Sequence, residues 1–592
     1  MSGNTRVLLS RIRSNLGRMK ARWSSGSPAI WFDPAYRLPF SILTDRAGLE
    51  PRRADYVAWY LASIKLLKPE EFHSPAKVSY EDLCLVHERS YLESLGHPEA
   101  LARIFAVDPS EVSVEELMGT IRLACGGTVE ATRWALSNRR AALNLLGGFH
   151  HAEPDKGGGL CPINDIAVAV AVARSRGFSG RVAILDLDAH PPDGTAACFS
   201  RDFNPDGRVW IGSLSGVDWG ALENVDETLL PLRCSDSHYL EMLSQLLRRM
   251  PTAELYFVVA GGDVLAGDAM AGLGLSLRGV RKRDLLVAER LQGKASVWLP
   301  GGGYHFDSWR VLAGTALAVS RHSSRPVSRR FDPMRVHFSE IAHSLDPGAL
   351  SPDEFSEEDL FGALGVSSAG LNRYLDYYTR EGIEFAFNQY GILTQLRRLG
   401  YRACRIDICA QDVGERLQVL GTTDANEELL IECVLEKAIQ EKRQLLYVHW
   451  LTLRHPRARF SEGRPALPGQ EVPGLGLAKE IGEMLALVAQ RLKLAGVAYR
   501  PAWFHTAYAG RYDFRFVDPR VQGRFEALMR DFSEISLLDL TRSITDDRVL
   551  INGKPYRWEA EIMAVLFEPG EDFAELVEAE REAVHFSFRD DK

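Results

Sequence analysis

The residues of this 592-residue chain best suited to chemistry fall in four short polar clusters between positions 147 and 304. They read GGFHHA (147–152), DLDAHPPDG (186–194), AGGDVLAGD (260–268) and PGGGYHF (300–306). Asp188 and His190 are spaced i, i+2, which in extended backbone sends both side chains to the same side. A mixed oxygen and nitrogen donor set of this kind suits Zn2+. Gly147 and Gly148 let the backbone ahead of His150 and His151 turn sharply and approach its neighbours closely. Tyr304 follows three glycines, 301–303. Each feature is common by itself. Together, their order and content describe one zinc hydrolase site.

In this order the clusters resemble the histone deacetylase family, and the wording GGFHHA…GGGLCPINDIAVAV, DLDAH and AGGDVLAGD is closest to its class IV branch. The resemblance covers about residues 28–325. It implies an arginase/deacetylase-like three-layer α/β domain with a mainly parallel sheet. It also implies Asp188, His190 and Asp263 as zinc ligands, with a coordination position left for water and a substrate carbonyl. His151 is then the expected general base and His150 its electrostatic partner. Asp193 and Asp186, respectively, would fix their tautomers. Tyr304 would polarise the substrate carbonyl opposite the metal. Gly159, Leu160 and Cys161 match the segment that lines the acyl-lysine channel. There Gly159 would offer its carbonyl to the substrate amide, and Leu160 stands where many members carry Phe. A potassium ion is implied beside the zinc, held by Asp186, by backbone oxygens of Asp188 and His190, and by Ser213 and Leu214.

These parts imply amide hydrolysis: removal of acetyl or longer acyl groups from N-acyl-lysine side chains of proteins. An acylpolyamine deacetylase, a non-catalytic acyl-lysine binding module and a bifunctional deacylase/acyltransferase are the alternatives. Pro191 and Pro192 stand where most deacetylases have His-Gly, which stiffens the loop carrying Asp193. On the arginase side of the superfold the motif runs Asp-x-His-x-Asp and feeds a second metal. Here that last Asp position is Pro192, which favours one zinc over two manganese ions.

Elements of an α/β domain must position these groups. Apolar runs of strand length lie at 182–187, 209–211, 255–260 and 296–299, the composition expected of parallel strands buried on both faces. Helix patterns at 115–137, 164–176 and 236–250 alternate with them. The four clusters fall at or just after strand ends, where open α/β sheets place their chemistry.

The second half needs a separate reading. RHSSRPVSRR (321–330) and the stretch 344–358 read as breaks. The expected divisions are a basic leader (1–27), a catalytic domain (28–325), a linker (326–356) and an α+β accessory domain (357–592). Within the last, helices are expected near 357–364, 370–399 and 427–442, and strands at 403–410, 416–421 and 445–453. LPGQEVPGLGLAKEIGEMLALVAQRLKLAGV (467–497) weakly resembles the acyl-coenzyme A pyrophosphate loop of the GNAT acetyltransferases, with Gly474 and Gly476 as the cofactor contacts. Glu471 stands where that family has Gln or Arg, and Gln470 is one residue early. His505, Tyr508 and Tyr512 follow, as either a general acid or an aromatic-rich core. His449 and His455 need no function.

The leader carries Arg and Lys but no acid, as an amphipathic helix, a transit peptide or a solvated segment would. A net charge of −9 and a pI near 6.0 argue against a nucleic-acid-coating protein. The eight cysteines contain no CxxC pair, and no apolar run approaches the ~18–20 residues needed to cross a bilayer. The expected setting is a reducing cytoplasm.

Overall fold

The apolar runs Val182–Asp186 (β3), Leu255–Val259 (β6) and Ser296–Leu299 (β7) are buried at every position. Only a sheet covered on both faces accepts such strands. With Ala29–Trp31 (β1), Ala141–Asn144 (β2), Val209–Ser215 (β4) and Val225–Leu229 (β5) they form one seven-stranded sheet in the order β1-β2-β7-β6-β3-β4-β5. Every pair in it is parallel. The connecting helices include Arg53–Ser63 (α1), Val114–Asn138 (α2), Asp165–Ser175 (α3), Asp236–Arg249 (α4), Leu277–Arg290 (α5) and Ser308–Arg321 (α6). Ala131, Ala135, Ile166 and Val170 from α2 and α3 pack with Ile184, Phe257 and Val297 of the sheet in a single core. This is the arginase/deacetylase-like architecture expected from the sequence.

This computed structural model describes residues 29–40, 48–200, 204, 207–321, 326–351, 373–423, 426–440, 442–460, 465–568 and 573–589. The basic leader and the expected helix at 357–364 lie outside the described residues. The chain divides into two units, Met1–Val336 and His337–Lys592. That division falls within the stretch read as a linker, where Pro333–Ser344 forms a helix (α7). Residues 328–331 belong to the first unit. Arg310 donates to the carbonyls of Arg329 (3.1 Å) and Phe331 (3.2 Å), and the Phe331 ring meets Tyr60 at 5.1 Å.

In the second unit, Arg380–Gln389 (α8) and Ile392–Arg398 (α9) are separate helices where one was expected. Gly391, at φ +77°, breaks the run. Its seven-stranded sheet has the order β13-β16-β12-β11-β10-β9-β8. The strands are Ala403–Ala410 (β8), Glu415–Thr422 (β9), Glu427–Gln440 (β10), Arg443–Leu453 (β11), Gly496–Tyr499 (β12), Arg515–Phe516 (β13) and Met563–Leu566 (β16). Val549–Ile551 (β14), Lys554–Pro555 (β15) and Phe586–Phe588 (β17) make a small separate sheet. Ala478–Arg491 (α10) and Phe504–Gly510 (α11) flank β12 in sequence.

β10 corrects the expected helix at 427–442. EELLIECVLEKAIQ is rich in helix-forming Glu, Leu, Lys and Ala, but it pairs antiparallel with β9 on one side and β11 on the other. Pairing along both edges and burial of Leu430, Ile431, Cys433 and Leu435 outweigh intrinsic propensity. Among the described residues no helix is long and apolar enough to cross a membrane.

Candidate active site

The four polar clusters follow the carboxyl ends of β2, β3, β6 and β7, which stand side by side in the sheet as β2-β7-β6-β3. Crossovers between strands distant in sequence therefore gather clusters up to 150 residues apart at one sheet edge.

Asp188, His190 and Asp263 each offer one ligand atom, all within 4.8 Å of one another. His190 Nδ1 lies 2.9 Å from Asp263 Oδ2 and 3.2 Å from Asp188 Oδ1. Both carboxylates are fully buried. Burial pulls the His190 imidazole down, but the two carboxylates outweigh it and push it up to about 11. Burial and the Asp188 charge push Asp263 in the direction of protonation. Two buried carboxylates beside one imidazole thus demand positive charge, and this donor set fits a divalent cation.

Beside this cluster stand two imidazole–carboxylate pairs. His150 Nδ1 lies 2.9 Å from Asp186 Oδ2, and His151 Nδ1 lies 2.6 Å from Asp193 Oδ1. The Pro191-Pro192 step leads directly into a short helix, Asp193–Cys198, which holds Asp193 in place for His151. Burial pulls His150 down, but Asp186 and Asp188 hold it up at about 9. His151 moves the other way: burial and the neighbouring His150 charge lower it. One imidazole is therefore cationic near neutrality and the other is a free base.

Tyr304, His150, His151 and Asp188 line one open pocket together with Gly159, Leu160 and Cys161. Its other walls include the buried Leu38, Leu49, Ala54 and Leu145. The Cys161 thiol points at the Gly159 carbonyl, 3.3 Å away. Burial, with Asp188 and Asp263, raises the Tyr304 phenol well above its ordinary range and keeps it a hydrogen-bond donor. Ser213 pairs with Asp186 across β3 and β4, and its Oγ is buried without a partner. With the buried Leu214 next to it, this orphaned oxygen fits a monovalent cation beside Asp186.

Sequence reasoning missed the residues that hold these loops. Asp165 accepts from the backbone N–H of Gly148 (3.1 Å) and Phe149 (2.8 Å) and from Thr128 Oγ1 (2.6 Å), anchoring the loop before the histidines. Its signal was an acid directly ahead of the apolar run 166–173. Arg53 donates to the carbonyls of Gly302 (2.9 Å) and Gly301 (2.8 Å). No local pattern announces that contact, which spans 249 positions. Asp268 accepts from the Tyr304 N–H at 2.6 Å, and burial pushes its carboxyl up to about 6. The half-exposed Trp219 lies over the rings of His151 (5.3 Å) and His190 (5.9 Å).

The remaining sequence candidates lie in the second unit. Gly474 and Gly476 precede α10, whose N-cap, Leu477, provides no side-chain cap. His505 is buried with Nδ1 unpartnered, whereas Tyr512 is 81% exposed and Arg511 stacks over it and Tyr508. His455 bonds Tyr401 Oη at 3.0 Å and His449 pairs with Glu436 at 2.7 Å, structural roles for both.

The histone deacetylase domain family matches residues 48–319. Histone deacetylase 2 of Arabidopsis thaliana is 30% identical over 309 residues, covering 50% of this chain and 79% of that protein. Histone deacetylase 8 of Xenopus tropicalis is 28% identical over 310 residues, 47% of this chain and 80% of that one. Among solved structures, an HDAC homologue from Aquifex aeolicus is 26% identical with a TM-score of 0.39, covering 45% of this chain and 77% of its own.

Proposed function

This chain belongs to the histone deacetylase family, and we propose that it is a zinc-dependent amidohydrolase that removes acetyl or longer acyl groups from N-acyl-lysine side chains. The observation that carries this reading is the conjunction of the Asp188–His190–Asp263 cluster with the paired His150–Asp186 and His151–Asp193 contacts. A non-catalytic acyl-lysine binding module is disfavoured, because every ligand and proton-transfer position holds a competent group.

Zinc held by Asp188, His190 and Asp263 would supply Lewis acidity toward water and the substrate carbonyl. The protein's own groups do the rest. His151, neutral and oriented by Asp193, takes the proton of the attacking water. Tyr304 donates its hydroxyl hydrogen to the carbonyl oxygen as negative charge grows there. His150, held cationic by Asp186, offsets that charge. His151 then returns its proton to the departing amine, releasing a carboxylic acid and a free lysine side chain. Ser213 and Leu214, with Asp186 and the backbone oxygens of Asp188 and His190, would hold potassium beneath the site. The partner is an acylated protein or a small acyl-amine, including an acylpolyamine. A reducing cytoplasm suits eight cysteines that form no disulfide among the described residues. An acyl-lysine peptide panel from acetyl to myristoyl, run with and without a metal chelator, tests the proposal. Stoichiometric zinc with no turnover on any peptide would establish the binding module instead.

One observation favours a second, bifunctional reading. β12 runs parallel to β11 but pairs with it only at residues 446–448, so β11 continues to Leu453 with β10 as its partner and β12 no longer beside it. The end of that pairing, followed in sequence by a glycine turn into a helix N-terminus, is a setting suited to an anionic ligand. That supports acyl-coenzyme A at Gly474 and Gly476, with an acyltransferase beside the deacylase. Calorimetric titration of the full-length protein with acetyl-coenzyme A tests it, and absence of binding at millimolar ligand removes it.

A further inference from the structure

Arg283, on α5, is fully buried, and no catalytic step above uses it. Its surroundings explain why a charge sits there. The parallel ladder between β3 and β6 ends at the pair Asp186–Val259, and Leu187 N donates to the Val259 carbonyl at 2.9 Å. Beyond this point the two chains must part, so that one carries Asp188 and His190 and the other Asp263. Parting leaves the carbonyls of Leu187 and Gly261 beyond the ladder in a dry interior, where an unpaired carbonyl is costly. Arg283 Nη1 donates to both, at 3.2 Å and 2.7 Å. Its Nε donates to Asp284 Oδ1 at 2.9 Å, and Asp284 Oδ2 accepts from Thr315 Oγ1 of α6 at 2.7 Å. One guanidinium, neutralised by Asp284, thus clips the backbone one residue before Asp188 to the backbone two residues before Asp263.

We propose that Arg283 is a positioning residue that sets the separation of the two ligand-bearing strand ends and thereby the affinity and geometry of the metal site; this rests on the metal-site reading above. A lysine would preserve the charge opposite Asp284, but its ammonium lacks the planar fork that serves Asp284 and two carbonyls together. Charge compensation and strand clipping are therefore separable.

The test uses full-length wild type, Arg283→Lys, Arg283→Met and a core control on α4, Leu243→Ala, each loaded with Co2+. Two readouts are taken: cobalt affinity against a competing chelator, and the visible ligand-field spectrum. Arg283→Lys should bind cobalt about 10–100-fold more weakly, as loss of partners behind a ligand shell commonly does, with a shifted spectrum. The Leu243→Ala protein, though less stable, should match wild type in both. If Arg283→Met does not fold, the lysine variant decides. Wild-type affinity and an unchanged spectrum in Arg283→Lys would overturn the proposal. A wild-type protein that takes up neither cobalt nor zinc would first remove the metal site itself.

Discussion

His150 and His151 are neighbours in sequence with rings 4.1 Å apart, yet their environments hold protons differently. The Asp186 and Asp188 charges outweigh burial at His150, whereas burial and the His150 cation leave His151 a free base. The position of His151 is correspondingly sensitive. Gly159 has φ +53°, and a Cβ added there would sit 2.4 Å from His151 Cδ2. Gly159→Ala should displace the base and lower kcat about 10²-fold, the scale of a 1 Å misplacement, while zinc content stays stoichiometric. Steady-state kinetics beside metal analysis checks this, and wild-type kcat would show that the base is not confined by Gly159. Tyr304→Phe removes only a hydroxyl whose main effect is on transition-state charge. It should leave zinc and melting temperature unchanged and cost ~10²–10³ in kcat. An undiminished kcat would assign the oxyanion role to another donor.

At the scale of elements, the site depends on loops pinned by buried polar contacts, and His87 is a pH-sensitive pin. Its Nδ1 lies 3.0 Å from the Glu153 carbonyl, and its Nε2 accepts from the Asn164 N–H at 3.0 Å, just ahead of α3. Both ring nitrogens are committed in the neutral form, since a second ring proton would face the Asn164 N–H. Burial lowers this imidazole to about 4. Between pH 6.5 and 4 the unfolded chain therefore binds the proton and the folded one does not, so this contribution to stability falls as pH falls. The loss from pH 7 to pH 5 is on the order of 2 kcal/mol. Urea unfolding across that range should show a steeper acid decline for wild type than for His87→Gln, and equal slopes would exclude His87 as the source.

For the whole molecule, every proposed zinc, dyad and tyrosine residue lies between positions 150 and 304 of the first unit. A chain of residues 28–336 should therefore bind zinc and hydrolyse small acyl-lysine substrates. A chain ending at 325 should be less stable, because it lacks Val327 and Met334, both buried, along with the segment that Arg310 holds. Each lost apolar side chain is worth roughly 1.5–3 kcal/mol. Calorimetry should give the shorter chain a melting temperature lower by several degrees, and identical melts would place 326–336 outside the first unit's fold. If residues 28–336 fold and bind zinc but turn over no substrate, the second unit belongs to the mechanism.

Much of the first unit could be read from the chain, because its signals are local. Uninterrupted apolar runs specify buried parallel strands, and polar clusters at their ends mark where candidate ligand and dyad residues gather. In the second unit β8, β9 and β11 were legible for the same reason. β10 was not: a helix-forming composition became a strand because two neighbours supplied edges for it to pair with. What only tertiary structure decided is contact over long separations. The strand order β2-β7-β6-β3 brings Tyr304 beside His150, Arg53 reaches the carbonyls of Gly301 and Gly302, and Arg283 joins two strand ends where their ladder stops. Those groups look like ordinary surface arginines in sequence. Only folding buries Arg53 and Arg283 against the backbone carbonyls of these loops.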